Sequence, residues 1–208
     1  MSLKNPFQCK YITSDKLHPD NIRYLNYKCE DMSVPNSQKK YVKDETCDKD
    51  NKCFGYIQLY YLKNPQIYIT TPPMKCLFGI QKTNQSFSMS LQFTNLETDP
   101  NMKQFFDFIQ NSEFRCMEHL GITENDTELF SSQIKYDKKG IYEPNLTVKL
   151  PFSYNKFQTD LYSDNEYALN IFNISKFQLM ECDIYADKVW KLNDIFYMKW
   201  KCKIIHIL

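Results

Sequence analysis

Residues 67–93 read IYITTPPMKCLFGIQKTNQSFSMSLQF, and the predicted fold is organised around this stretch. Hydrophobic and polar residues alternate at 67–70 and again at 87–93, which is the pattern of two half-buried β-strands. Pro72 and Pro73 have no backbone N–H to donate, so they predict an end to strand pairing. The loop between the strands has a single glycine and no acidic residue, and three of its side chains are candidate nucleic-acid contacts: Lys75, Phe78 and Lys82.

The length and composition of the chain favour one folded domain. Its 208 residues suit a medium-sized domain, or one domain with an N-terminal extension. Aromatic residues make up 15% of the sequence and supply ample material for a hydrophobic core. With only four glycines, the composition argues against glycine-rich phosphate loops and repeat architectures.

The cysteines indicate a reduced protein without a zinc site. None of the eight shows the CxxC spacing of a zinc ribbon. Four have apolar neighbours, as free core thiols do: Cys76, Cys116, Cys182 and Cys202. The N-terminus lacks the apolar segment of a signal peptide, and no apolar run could span a membrane. We therefore expect an intracellular protein, and a secreted, disulfide-stapled binding protein is the alternative.

Charge is distributed unevenly although the net charge is only +1. Residues 56–96 contain three lysines and no acid, residues 97–128 contain eight acids against two basic residues, and residues 129–157 contain five lysines against two acids. This pattern predicts a basic surface opposed to an acidic one, although solvated faces would produce it too. The basic residues include only two arginines, Arg23 and Arg115, and a lysine-rich surface favours binding to phosphates over reading of bases.

Secondary-structure signals give several strands, one helix and further strands. Residues 56–62 (YIQLYYL) have strong strand propensity, and a turn at 63–65 predicts an antiparallel hairpin over 56–71. A helix is predicted to begin near Met102, capped by Asp99 or Asn101, with Gly121 as its stop.

After the helix, strands are predicted at 132–136, 146–150, 174–185 and 195–207. In the last of these, Phe196, Met198, Trp200, Cys202 and Ile204 are predicted to share a buried face. The opposite face would carry Lys199, Lys201 and Lys203 in a positive track roughly 13 Å long. The alternative is that these lysines protect an edge strand from aggregation.

The order of elements predicts a mainly β fold with one substantial helix: an OB-fold-like curled barrel of five strands with additions. A flat α+β sandwich is the alternative. We divide the chain into a partly irregular N-terminal extension, residues 1–53, and an OB-like domain, residues 54–208, which contains the candidate nucleic-acid contacts. Residues 22–27 (IRYLNY) are a candidate strand within the extension.

Short motifs follow one another in a defined order along residues 54–207. They are YIQLYYLKNPQIYITTPPMKCLFGI, SMSLQF, FFDFI, SSQIKY, YEPNLTVKLPF and KVWKLNDIFYMKWKCKII. In this order they resemble the single-stranded DNA-binding proteins of nucleocytoplasmic large DNA viruses, the group typified by the African swine fever virus protein. The chain departs from the family pattern at Leu77, where proline is usual, and in its closing hairpin, which lacks the usual glycine.

This resemblance implies an OB-type fold and sequence-independent binding of single-stranded DNA during viral DNA replication, recombination or repair. It also implies a location in the host cytoplasm, at the viral replication site, or in the virion. The expected partner is single-stranded DNA, with RNA still open and replication proteins as further partners, and no membrane is involved. Oligomeric state is left open.

Binding of single strands requires lysines for phosphates and aromatic side chains for stacking of bases. The candidates for these roles are Lys75, Phe78, Lys82, Lys135, Tyr136, Lys138, Lys149, Tyr154, Lys156, Lys199, Lys201 and Lys203. We expect no enzymatic activity, cofactor or metal, because the three histidines have no HxxxH or HxE partner and no GxSxG or Walker motif occurs. The alternative function is a non-enzymatic virion or replication-scaffold protein whose lysines contact other proteins.

Overall fold

The structure, a computed structural model, describes residues 18–31, 53–84, 86–163 and 170–208. Within these ranges the chain forms fifteen strands, one long α-helix and three short 3-10 helices. The strands are β1 (Ile22–Asp31), β2 (Cys53–Tyr61), β3 (Ile67–Thr70), β4 (Met74–Cys76), β5 (Gln81–Thr83), β6 (Ser86–Gln92), β7 (Ile134–Lys135), β8 (Asn145–Leu150), β9 (Phe152–Ser153), β10 (Lys156–Phe157), β11 (Asp160–Ser163), β12 (Gln178–Ala186), β13 (Lys188–Leu192), β14 (Ile195–Met198) and β15 (Trp200–Ile207). The helix α1 is Pro100–His119, and the 3-10 helices are Pro19–Asn21, Glu124–Leu129 and Ile171–Asn173.

Five strands close into a barrel. Strand β4 pairs with β6, β6 with β8, β8 with β15, β15 with β12, and β12 with β4 again. Only the β8–β15 pair in this ring is parallel. Numbered along the chain, the ring order is one, two, three, five, four, which is the Greek-key order of an OB-fold. The predicted mainly β fold with an OB-like curled barrel and one substantial helix is therefore confirmed.

Alternating side chains fill the barrel, as the period of two predicts. In β8, Leu146, Val148 and Leu150 are buried, while the residues between them are half-buried on the outside. Trp200 is fully buried with them. Full burial of a leucine or valine side chain contributes roughly 1.5–3 kcal/mol to the stability of the fold. The four predicted core thiols are also buried and free, which confirms that prediction.

The pairing of β3 ends at Thr70, just before Pro72 and Pro73, as predicted, but the barrel wall continues beyond the two prolines. Strands β3 and β4, on either side of the two prolines, both pair with β12. Thr71 maintains the connection: its N–H donates to the Cys182 carbonyl at 2.8 Å, and its hydroxyl accepts the Cys182 N–H at 3.0 Å. The hydrogen bonds to β12 at this point are therefore made by Thr71 and not by the prolines.

The predicted hairpin over residues 56–71 is wrong. Strand β2 pairs with β1 and β13, whereas β3 pairs with β12. Both strands thus find distant partners, which local propensity does not reveal. Between them Leu62 has a φ of 55°, and Tyr61 and Asn64 form a single bridge.

A second sheet lies beside the barrel, with the strand order β1, β2, β13, β14. Its β13–β14 hairpin is inserted between the fourth and fifth barrel strands. The candidate strand at 22–27 is confirmed within β1, which pairs with β2. The predicted domain boundary between residues 53 and 54 falls inside β2.

The predicted continuous strand over 195–207 is wrong, because the chain changes sheets at Lys199. Met198 ends the pairing of β14 with β13, and Trp200 begins the pairing of β15 with β8. A bulge follows: the register with β12 passes from Cys202 to Ile204 and leaves Lys203 unmatched. The alternation shifts there, so that Ile205 rather than Ile204 is buried.

Two other predicted strands are shorter than expected. The strand at 132–136 reduces to β7, whose Ile134 and Lys135 pair with the start of β8. The strand at 174–185 becomes β12, which begins at Gln178 because a 3-10 helix, capped by the Asn170 side chain, precedes it.

The helix α1 confirms its prediction. Asp99 caps it by accepting the N–H groups of Asn101 at 2.9 Å and Met102 at 3.2 Å. Its buried face carries a phenylalanine stripe that packs on the barrel core. At the C-terminal end of the helix, Tyr24 of β1 stacks on His119, with the ring centroids 4.6 Å apart. Residues of the predicted extension are thus joined to the helix.

Candidate nucleic-acid interface

A row of side chains crosses the outer surface of the barrel. Strand register places these residues opposite one another on β6, β8, β15, β12 and β3. We call this set the barrel row: Ser88, Lys149, Lys201, Tyr185 and Tyr68. With about 4.8 Å between neighbouring strands, the row is roughly 19 Å long. The row includes the second and third strands of the barrel, β6 and β8, whose face binds oligonucleotides in OB-folds.

Lys201 is fixed in the middle of the barrel row. Its Nζ lies 2.8 Å from the Asp187 carboxylate and 5.5 Å from the centre of the Tyr185 ring. The Tyr185 and Tyr68 rings lie 5.5 Å apart and are tilted by 31°. Burial raises the pKa of Tyr185 to about 12, with smaller contributions from nearby Asp187 and Tyr68. The Lys201 ammonium group and the neighbouring tyrosine rings are therefore held in place.

Lys199 joins the barrel row from the junction between β14 and β15. Its Nζ lies 4.8 Å from the centre of the Tyr197 ring. Burial lowers the pKa of Lys199, and the charges of Lys149 and Lys201 lower it further. Three lysines are thus brought close enough to repel one another. A bound polyanion would relieve that repulsion, which is the electrostatic property expected of a phosphate-binding surface.

A groove of about 300 Å³ begins beside the barrel row. Its lining includes Lys149, Lys201, Tyr185 and Phe152. The β9–β10 hairpin forms one side of the groove. Tyr154 lies at the tip of this hairpin, with a φ of 51°, and is 95% exposed. Lys156, on the returning strand, is also exposed.

Four phenylalanines cluster next to the groove: Phe87, Phe152, Phe157 and Phe172. Centroids of neighbouring rings lie 4.9–5.7 Å apart. Phe87 is buried, but Phe172 remains 57% exposed. Lys82 lies 5.7 Å from the centre of the Phe87 ring. The cluster therefore lies between Lys82, one of the predicted loop contacts, and the groove, which Phe87 and Phe152 also line.

The structure brings other candidates together elsewhere on the barrel. Register places Lys135 opposite Asn145, Asn145 opposite Gln92, and Gln92 opposite Lys75. This second line of residues crosses β8 at Asn145, which is four residues and about 13 Å from Lys149 along the strand. Tyr136 extends from it and is 60% exposed, with its hydroxyl accepting from Gln110 at 3.1 Å.

Three remaining candidates are exposed but lie outside the barrel row. Phe78 is 53% exposed, so its side chain does not fill the hydrophobic core. Lys138 lies in the turn after β7, and Lys203 lies at the bulge of β15. The predicted track of three lysines on one strand face is therefore reduced to Lys199 and Lys201, to which the fold adds Lys149.

The sequence analysis missed the two tyrosines of the barrel row. Tyr68 and Tyr185 occupy outward positions of predicted strands, so alternation was an available signal. Their proximity was not predictable, since 117 positions separate them in the chain. The phenylalanine cluster was missed for the same reason. Tyr197 shares one face with Lys199 and Lys201 in the predicted strand at 195–207, so alternation was a signal for it as well.

Within the described ranges, no group of three or more His, Cys, Asp or Glu side chains could hold a metal ion. No helix there has the length and apolar character needed to cross a bilayer. Comparisons with known proteins find no family that matches the chain and no curated protein with a significant match.

Proposed function

We propose that this protein binds single-stranded DNA without sequence preference through the barrel row and Lys199. One observation carries the proposal: Lys149, Lys199 and Lys201 converge beside the Tyr68–Tyr185 pair on the outer surface of an OB-like barrel. Since one fold hosts many functions, the barrel alone would be an analogy. The chemistry of these side chains is the stronger support.

Each side-chain type has a defined task in this proposal. The lysines act as point charges on phosphates, which carry no sequence information. The tyrosines offer flat surfaces for base stacking, worth about 1–3 kcal/mol per base and tolerant of sequence because every base has a π-face. The chain acts as a binding protein, without catalysis or a cofactor.

The resemblance of the ordered motifs to the viral family supports a role in viral DNA replication, recombination or repair. This assignment places the protein at a viral replication site in the host cytoplasm, where replication proteins are further partners. It is a proposal that rests on the motifs, whereas DNA binding itself rests on the barrel row.

A titration of the full chain tests the proposed binding. Fluorescence anisotropy of labelled oligo-dT, duplex DNA and RNA is measured at about 50 and 200 mM salt. We expect oligo-dT to bind best and its affinity to fall steeply with salt, since phosphate contacts release counterions. Undetectable or salt-insensitive binding to oligo-dT would contradict the proposal and favour a protein-binding scaffold. Tighter binding to duplex DNA or to RNA would reassign the ligand.

A further inference from the structure

The outward face of the second sheet carries a line of buried and half-buried aromatic side chains that the proposed function leaves unused. Tyr197 of β14 lies opposite Trp190 of β13, and Trp190 lies opposite Tyr56 of β2. We call these three residues the aromatic strip. Residues opposite each other in an antiparallel pair point to the same side of the sheet. Their neighbours Val189 and Ile57 are buried in the core, so the strip faces away from it.

The aromatic strip is an organised surface rather than scattered side chains. The Trp190 and Tyr56 rings are 5.6 Å apart, and buried Tyr56 supports the partly exposed indole. Lys188 Nζ lies 4.1 Å from the centre of the Tyr56 ring and 5.0 Å from that of Trp190. A stacking surface with an ammonium group beside it is the combination that single-strand binders use.

Lys199 connects the aromatic strip to the barrel row. Its Nζ lies against the ring of Tyr197, one end of the strip, and its charge is coupled to Lys149 and Lys201. A strand of DNA that leaves Lys201 along this line meets Lys199, then Tyr197 and then Trp190. The strip spans three strands, which adds about 10 Å to the roughly 19 Å of the barrel row.

We propose that the aromatic strip is a second base-stacking surface, across which single-stranded DNA continues after it leaves the barrel row. The proposal rests on the proposed function and extends it to a site outside the barrel. It assigns Trp190 and Tyr197 to stacking, Lys188 to a phosphate, and Tyr56 to positioning of the indole.

Tryptophan fluorescence of the full chain separates the two surfaces. The chain has two tryptophans, and Trp200 is fully buried inside the barrel, so Trp190 is the one that a bound base can quench. Oligo-dT of about 4 and about 16 nucleotides, the limits of OB-fold site sizes, are titrated at low salt. We expect the long oligonucleotide to quench the emission, and the short one to bind the barrel row with the emission unchanged.

Substitutions make the test quantitative. We expect Trp190→Ala to weaken binding of the long oligonucleotide at least about fivefold, the lower limit for loss of one stacked base, and to leave the short one unaffected. Trp190→Phe keeps an aromatic ring and should retain affinity to within about threefold while losing the quenching. Phe114→Ala removes a 53% exposed aromatic side chain from α1 and is the matched control, with no expected effect.

Each other outcome counts against the proposal. Tight binding of the long oligonucleotide with unchanged emission, or with unchanged affinity in Trp190→Ala, would overturn it and leave DNA binding by the barrel intact. Equal quenching by the short oligonucleotide would place Trp190 in the primary contact instead. If neither oligonucleotide binds, the proposed function fails and this inference fails with it.

Discussion

Lys199 and Tyr197 lie on either side of Met198, and the Lys199 ammonium sits 4.8 Å from the centre of the Tyr197 ring, at the point where the chain leaves the second sheet for the barrel. This contact holds a positive charge at the junction of two sheets. Burial lowers the pKa of Lys199, and the nearby charges of Lys149 and Lys201 lower it further. The junction therefore concentrates positive charge.

Reversal of charge at Lys149 and Lys199 should weaken binding of oligo-dT. We choose these two because Lys201 is paired with Asp187, and a glutamate there would bury two carboxylates together. The double variant Lys149→Glu, Lys199→Glu should lose about tenfold or more in affinity, the scale of one charge-assisted hydrogen bond. The slope of log affinity against log salt should fall by about 1.4, or about 0.7 for each phosphate that a lysine no longer neutralises.

The control for this variant has the same change in net charge. Lys63 and Lys139 are exposed and lie outside the barrel row, so Lys63→Glu with Lys139→Glu should leave affinity nearly unchanged. Anisotropy titrations at several salt concentrations measure both variants. Equal losses in the two double variants would show that net charge, rather than the barrel row, governs binding.

The affinity for oligo-dT should fall with rising pH because of Lys199. Burial, and then Lys149 and Lys201, lower its pKa in the free protein, whereas a phosphate beside it would favour the charged form. Binding is thus coupled to proton uptake once the pH exceeds the lowered pKa. Affinity should decline there, below the range of about pH 10 in which ordinary lysines titrate. In Lys199→Gln this decline should disappear, and a decline of equal size in that variant would assign the effect to another group.

The sequence predicts the strands and helix ends that follow from alternation and capping. It predicts little of which strands pair when they are far apart in the chain. Strand β8 and the Asp99 cap of α1 follow from local patterns, and both are where they were expected. The hairpin over 56–71 failed because β2 and β3 find partners more than 100 residues away in β13 and β12. No local pattern encodes such a pairing.

The candidate site shows the same limit. Individual lysines such as Lys149 and Lys201 were identifiable as outward positions, but their convergence depends on the parallel pairing of β8 with β15. The period of two also concealed the break at Lys199, because Met198 and Trp200 are both buried although they belong to different sheets.

Gly79→Ala should destabilise the loop that carries Phe78. Gly79 has a φ of 68°, and an added Cβ would lie 2.8 Å from the Ile174 carbonyl oxygen, a backbone atom that cannot easily move. We expect a loss of about 2–4 kcal/mol in the free energy of unfolding, which combines left-handed strain of about 1–2 kcal/mol with the steric contact. Urea denaturation measures it.

Gly140→Ala is the matched control for this substitution. Gly140 has nearly the same φ, 66°, but nothing lies within 4 Å of its added Cβ. It should therefore show the left-handed strain alone, about 1–2 kcal/mol. The difference between the two variants isolates the contact with Ile174, and no difference would mean that the loop can withdraw from it.

Glu113 should make the stability of the protein depend on pH. The side chain is buried on α1, and its carboxylate accepts hydrogen bonds from the Ser132 hydroxyl at 2.5 Å and the Gln133 N–H at 2.7 Å. Burial raises the pKa of Glu113 and outweighs these hydrogen bonds, which lower it. Between the ordinary and the raised pKa, the folded chain holds a proton that the unfolded chain has released. The free energy of unfolding should therefore decrease as the pH rises through this window.

Glu113→Gln tests this origin of the pH dependence. The amide oxygen can still accept the Gln133 N–H, but the residue cannot titrate, so the decrease attributed to Glu113 should vanish and the variant should be the more stable of the two above the window. Glu113→Ala instead leaves the Gln133 N–H without its acceptor and should cost about 1–3 kcal/mol at every pH. Urea denaturation of the three proteins between about pH 4 and 8, across the ordinary glutamate range and above it, gives the comparison. An identical pH profile in the wild type and Glu113→Gln would place the titration at another buried carboxyl, such as Asp183, whose pKa is also raised by burial.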